Sequence, residues 1–180
     1  ERVEVTIFGE SQGPAIGVVL DGVPAGEAVD MDAVRIQMRR RAPGSSDLTT
    51  HRSETDDPLV MSSILNGVTT GAPISAIFRN KDQNSAAYHP EIPRPSHADY
   101  AATVRFGGHA DLRGGGAFSG RLTACLVFAG AVCRQILERR GITITANAVR
   151  VGQATGKELN FDMKRAILDA RSAGDSVGSE

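Results

Sequence analysis

Between Arg94 and Thr123 the chain gathers residue types that handle a small anion and a proton. Gly114, Gly115 and Gly116 stand in a row. Glycine has no Cβ and tolerates positive φ, so such a run suits a loop where backbone must come close to something else. Ser119 and Thr123 follow at an expected helix start, where free backbone N–H groups and the helix dipole favour an anion. Arg113 and Arg121 flank the loop, and the planar guanidinium fork matches phosphate and carboxylate. His97 stands close by in sequence, with Arg94 and Asp99 beside it, and imidazole titrates near neutral pH. The set describes a pocket for a small, multiply anionic ligand with a proton-transfer group at hand. The plainer alternatives are a hydrogen-bonded loop histidine, a flexible glycine turn, and an arginine facing solvent at a helix N-terminus.

The elements that must position these residues can be read from periodicity. Val3, Val5 and Ile7 alternate with polar residues, and a second apolar stretch covers 15–20. With Gly9-Glu10-Ser11-Gln12-Gly13 between them, they predict a β-hairpin. Asp30 is a good N-cap for a helix over 31–41 with Val34 and Met38 as its apolar stripe. Pro43 stops that helix, and Arg39, Arg40 and Arg41 crowd its last turn, where cations suit the dipole. Strands are expected over 60–65 and 73–79, with a turn at 67–71 between them. A polar loop over 80–93 contains His89, read like His51 as a surface residue, and His109 is a candidate for a pocket rim.

From 120 to about 139 the chain should be helical, with a stripe at Leu122, Cys125, Leu126, Ala129, Val132, Cys133, Ile136 and Leu137. The segment 124–133 carries no charge on any face, which predicts burial on more than one side, between layers. Ile142, Ile144 and Ala146 alternate with polar residues and predict a further strand. Asn160 should cap a helix striped by Met163, Ala166, Ile167 and Ala170. Strands and helices do not alternate regularly, so α+β with antiparallel sheet is the expected class.

Composition narrows the function classes. The 180 residues are one domain by length or a large piece of one, 41% apolar but only 4% aromatic, so aliphatic packing must dominate. A net charge of −1 and the lack of stacking residues near Arg39, Arg40 and Arg41 argue against a nucleic-acid partner. Cys125 and Cys133 lie eight apart in one helical stretch, about 12 Å of rise, too far for a disulfide. They read as reduced core residues in a cytosolic protein. The sequence reading finds no signal peptide, no membrane-spanning run and no metal site. The first residue is Glu1, which suggests that N-terminal residues are missing.

Two motifs carry a family resemblance. R-P-S-H-A-D at 94–99, and G-x-x-S-G-R-x-T at 116–123 leading into a small-residue helix, resemble the central motifs of chorismate synthase. The loop G-E-S-Q-G at 9–13 resembles that family's G-E-S-H-G, with Gln12 where the family has histidine. R-R-A-P-G at 40–44, with Thr49, Thr50, Arg52 and Glu54, resembles its substrate segment, where Asp47 replaces a frequent arginine. Further likenesses are L-x-G-x-T-T-G-x-P-I at 65–74, N-x-D at 80–82 and G-D-S-x-G at 174–178.

The resemblance implies a β-α-β sandwich with antiparallel sheets and buried helices. Residues 1–180 would supply about half, the N-terminal part of a single domain, with the C-terminal part and its catalytic aspartate absent. It implies a lyase that converts 5-enolpyruvylshikimate 3-phosphate to chorismate and phosphate by 1,4-elimination. It also implies reduced FMN as cofactor, with NADPH as a conceivable source of reductant, and a cytoplasmic homotetramer. By the same resemblance His97 is catalytic and Gln12 stands at the second catalytic position. Arg41, Arg94, Ser119, Gly120 and Arg121 correspond to substrate-binding positions. Ala117, Phe118, Ser119, His97 and Arg41 correspond to flavin contacts. The alternative is a catalytically impaired fragment or homologue that binds flavin or substrate without efficient turnover.

Overall fold

The computed structural model describes residues 2–42, 55–81, 92–157 and 159–173. The N-terminal hairpin forms as the alternation predicts. Strand β1 (Glu4–Gly9) pairs antiparallel with β2 (Ala15–Asp21), placing Val5 opposite Leu20 and Ile7 opposite Val18. β2 pairs on its other side with β6 (Ile74–Arg79), which pairs with β3 (Leu59–Ser62), giving the antiparallel order β1-β2-β6-β3.

Where one strand is expected over 60–65, the structure has two. Ser63 turns into the left-handed region (φ 65°) and ends β3. Ile64–Leu65 (β4) then pairs with Val68–Thr69 (β5) around an Asn66–Gly67 turn with positive φ at both residues. An Asn-Gly pair matches a two-residue hairpin turn because both residues tolerate that conformation.

One face of the four-stranded sheet is the core. Ile16, Val18 and Leu20 of β2 and Ile74, Ala76 and Phe78 of β6 are all buried, every second residue, as strand geometry requires. Helices α1 (Met31–Arg41) and α3 (Thr123–Arg139) supply the other half of this core. α1 contributes Val34 and Met38; α3 contributes Ala124, Cys125, Phe128, Ala131 and Val132. Phe78 and Phe128 meet edge to face, their centroids 6.0 Å apart. Burial raises both free thiols, that of Cys125 to about 11 with desolvation as the largest cause, so neither is a poised nucleophile.

The helices are tied at both ends. The Asp30 carboxylate accepts from the N–H groups of Asp32 and Ala33 (2.8 and 3.2 Å), the expected N-cap. Asp30 also exchanges hydrogen bonds with the Gln135 side chain of α3. Glu27 takes Arg139 and Arg140 at 2.7 and 2.8 Å, which lowers its carboxyl below the ordinary range, Arg139 contributing most.

Three expectations are corrected. The segment 142–149 forms no strand: Ile142 and Ile144 are exposed, and no neighbouring strand takes up their backbone groups among the described residues. The chain instead makes a minimal hairpin, β7 (Arg150–Val151) with β8 (Ala154–Thr155), before α4 (Phe161–Ser172). The stripe of α4 faces inward as expected, Met163 buried, and Asn160 accepts from the Met163 N–H at 3.0 Å. α3 is buried on most of its circumference but not all, since Leu126 is 51% exposed. Finally, the stretch Arg113–Arg139 is long and apolar enough to cross a membrane by length and composition. Half of its apolar window is buried inside the fold, and left-handed glycines break its N-terminal end.

A short helix absent from the expectations, α2 (Asp99–Arg105), follows the R-P-S-H-A motif. Because Phe128 is fully buried against Phe78, Phe128→Ala should destabilise the folded protein by about 3–5 kcal/mol. Denaturant unfolding of the complete protein measures this.

Candidate active site

The glycine run forms a 3₁₀ turn (Arg113–Phe118) in which Gly114, Gly115 and Gly116 all have positive φ (59°, 86° and 51°). Each glycine lies against a neighbour that a side chain would strike. A Cβ on Gly114 would come 2.5 Å from Ser11 Oγ and 3.0 Å from Gln12 Nε2. One on Gly115 would come 2.7 Å from His97 Cε1, and one on Gly116 would overlap the Asp111 carbonyl. The run is thus the contact plane on which the 9–13 loop and His97 both rest. Ser11 donates from its hydroxyl to the Gly114 carbonyl (2.9 Å) and from its N–H to that of Gly116 (3.2 Å). Gln12 is thereby buried, and its Oε1 has no hydrogen-bond partner among the described residues.

His97 is held by the start of α2. Asp99, buried, lies 2.7 Å from His97 Nδ1 and takes Arg94 through Nε and Nη2 (2.8 and 3.0 Å). With Nδ1–H donating to Asp99, Nε2 is the ring nitrogen left to carry or take a proton. The Arg94 guanidinium also approaches both ring nitrogens, at 3.3 and 3.4 Å. Its hydrogen bonds to Asp99 are the largest cause holding that carboxyl well below the usual range.

A second group surrounds Arg121, which a further 3₁₀ turn (Gly120–Leu122) places at the mouth of α3. Ser119 caps this turn by accepting from the Arg121 N–H (3.2 Å). The side chain of Arg121 is buried. Its Nη1 pairs with Asp56 and its Nε donates to Asn80 Oδ1 (3.0 Å). Arg41, in the last turn of α1, donates from Nη1 to the other Asp56 oxygen (2.5 Å) and from Nη2 to the Gly120 carbonyl (3.3 Å). Asn80 in turn donates to the carbonyls of Glu10 and Gly13, fastening the 9–13 loop to the same cluster.

Beyond the glycines, Ala117 and Phe118 line a cavity of about 280 Å³ with Glu10, Phe106, His109, Ala110 and Asp111. His109 does therefore lie on a cavity rim. Glu10 is raised by burial first and then by Asp111 beside it, whereas Asp111 is lowered, chiefly by Arg113. Among the described residues no group of three or more His, Cys, Asp and Glu side chains is placed to hold a metal ion.

The structure thus brings Gln12, His97, Ser119, Gly120, Arg121 and Arg41 around one glycine loop, with Arg94 reached through His97. Arg40 is exposed and bonds Gln37, away from the Asp56 cluster. Asp47, Thr49, Thr50, His51, Arg52 and Glu54, Asp82 and His89, and the 174–178 motif lie outside the described residues. Sequence reasoning missed Asp56 and the part played by Asn80; one carboxylate at a strand approach carries no spacing signal.

Comparison with known proteins gives the family of the chain. The family model for chorismate synthase matches residues 3–180. The chain belongs to the chorismate synthase family. It is 41% identical to the chorismate synthase of Korarchaeum cryptofilum over 95% of its length, and 42% identical to that of Pyrococcus abyssi over 96%. It is 46% identical to that of Methanococcoides burtonii over 92%. The chain spans about half of these relatives, 54%, 54% and 45% of their lengths. A solved structure titled "Crystal Structure of Chorismate Synthase" matches at TM-score 0.66 and 28% identity, covering 89% of this chain and 41% of that one. The mixed helix and antiparallel-sheet architecture is thus that of chorismate synthase.

Because the Asp99 carboxyl is lowered on folding, its contribution to stability is fully present above the unfolded carboxyl range and is lost progressively as pH falls from that range through the lowered native value. Asp99→Asn should therefore lower the melting temperature at neutral pH. Its deficit against the native protein should shrink as pH drops below about 4. Thermal melts across pH check this; a deficit independent of pH would mean that the carboxylate's charge is not what matters.

Proposed function

We propose that the complete protein catalyses the 1,4-elimination of phosphate from 5-enolpyruvylshikimate 3-phosphate, giving chorismate, in the cytoplasm and as a homotetramer. The observation that carries this reading is that buried Arg121 and half-buried Arg41 meet at the Ser119–Gly120 turn that follows a left-handed glycine loop, while half-buried His97 packs on that loop. The substrate carries a phosphate and two carboxylates. Burying such a ligand requires cationic donors already in place, because an unpaired buried anion is prohibitively costly.

Arg41 and Arg121 would take the strongest anionic group, with Ser119 and Gly120 shaping the turn beneath it and Arg94, paired with Asp99, offering donors on the His97 side. His97, oriented by Asp99, would hold or pass a proton at Nε2 near the glycine loop. The residues present fit a flavin: Ala117 and Phe118, together with Phe106 and His109, line a cavity of about 280 Å³, which offers a partly apolar wall to a flat ring. Ala117, Phe118, Ser119, His97 and Arg41 would hold reduced FMN, with NADPH a source of its electrons. When bound, reduced FMN supplies reducing power to the elimination without net redox change.

Gln12 favours a second reading in which ligands bind but turnover is slow. Its amide can hydrogen-bond a phosphate oxygen but does not titrate, so it delivers no proton to the leaving group. A positioned general acid contributes about 10²–10⁴-fold. The test is anaerobic turnover of 5-enolpyruvylshikimate 3-phosphate by the complete protein with reduced FMN, native against Gln12→His and His109→Ala. The expected result is slow native turnover that Gln12→His raises by at least tenfold, with little change in KM. A native protein as fast as Gln12→His, with His109→Ala unchanged, would show that the proton comes from elsewhere. No turnover in either form would leave the binding-only reading standing.

A further inference from the structure

The Asp56 side chain is fully buried, and it is the carboxylate shared by two guanidinium groups. One oxygen takes Arg41 and the other takes Arg121. Its backbone sits in the left-handed region (φ 48°), a conformation that Asp tolerates better than most residues but that still carries strain. If this were only a latch between segments, a neutral arrangement would serve, with one carboxylate for each guanidinium. Here two positive charges share one negative charge, so among the described residues the cluster keeps a net charge of about +1. In addition, Nη2 of Arg121 is buried and has no hydrogen-bond partner among the described residues. Arg121 is nevertheless rigidly held, through Nη1 by Asp56 and through Nε by Asn80. A buried cationic donor left open on a fixed guanidinium is unfavourable unless something supplies the missing acceptor.

We propose that Asp56, with Asn80, is a positioning residue. It fixes the guanidinium groups of Arg41 and Arg121 in one geometry and leaves Arg121 Nη2 as the preset donor for an oxyanion of the substrate. This rests on the reading above that these arginines hold the substrate's anion. Asp56 itself does not touch the ligand; it removes the rotamer freedom that two long side chains would otherwise lose on binding. The effect therefore falls on affinity, with little effect on the chemical step.

The test uses the complete protein with reduced FMN and compares native, Asp56→Asn, Arg121→Ala and the double variant. KM for 5-enolpyruvylshikimate 3-phosphate, kcat, and competitive inhibition by inorganic phosphate are measured for each. The asparagine keeps the shape but can accept from only one arginine while offering a donor to the other. Expected is a rise of about tenfold or more in KM for Asp56→Asn, with weaker phosphate inhibition in parallel and kcat within about threefold of native. The double variant should lose less than the product of the two single losses, because Asp56 acts through Arg121. Losses that multiply would reduce Asp56 to a structural latch and overturn the proposal. So would a normal KM in a folded Asp56→Asn protein whose Arg121→Ala counterpart is impaired, an outcome that leaves the anion-site reading intact. A normal KM in Arg121→Ala would instead sink that reading and the proposal with it. Should Asp56→Asn fail to fold, Asn80→Ser decides: it removes much of the support for Arg121 Nε, and a raised KM supports the proposal while an unchanged one refutes it.

Discussion

The structure depends on how it keeps an arginine inside. Arg121 sits at the N-terminal mouth of α3, the positive end of the helix dipole, where a cation is poorly placed. Its burial removes it from water as well. The sequence meets both costs with a carboxylate and an amide drawn from elsewhere: Asp56, just before β3, and Asn80, just after β6. Arg41 at the end of α1 joins the same carboxylate, and Asn80 reaches on to the 9–13 loop. One buried ion cluster therefore fixes the relative positions of α1, the sheet, the start of α3 and the loop carrying Gln12. The apolar core beneath it could form without the cluster, but it would not place those four segments with respect to a ligand.

The second constraint is steric. Three successive glycines in the left-handed region let the 9–13 loop and the His97 ring pack on bare backbone. Any side chain there would push one of the two away. The glycine run and the ion cluster are adjacent through the Ser119–Arg121 cap and the Arg41 bond to Gly120. Loop geometry on one side and charge geometry on the other thus meet at the turn that opens α3.

Much of this was legible in the sequence because strong local patterns coincide with burial. Alternation at 15–20 and 73–79 marked strands whose alternate residues are indeed buried. Asp30 and Asn160 announced their helices through capping chemistry. The same alternation misled at 142–147, since a pattern of two needs a partner strand to become a ladder, and none is present among the described residues. Helix α2 was missed because seven residues beginning Asp-Tyr-Ala give too few turns for a period to show. The 60–65 run concealed a break at Ser63, where a left-handed residue divides one apolar stretch between two sheets. At the site, the glycines, His97 and Arg121 stood out by residue type. Asp56 did not, because its importance lies in being equidistant in function from two arginines that are 15 and 65 residues away along the chain.

The two side-chain groups also differ in charge, and the difference orders the site. Arg41, Arg121 and Asp56 together leave about one positive charge and an open donor. Arg94 and Asp99 cancel, so the ion pair beside His97 adds no net charge. The glycine loop between the groups contributes backbone and no charge of its own. A cationic cluster and a charge-balanced Arg94–Asp99 pair are thus held apart by a strip of neutral backbone.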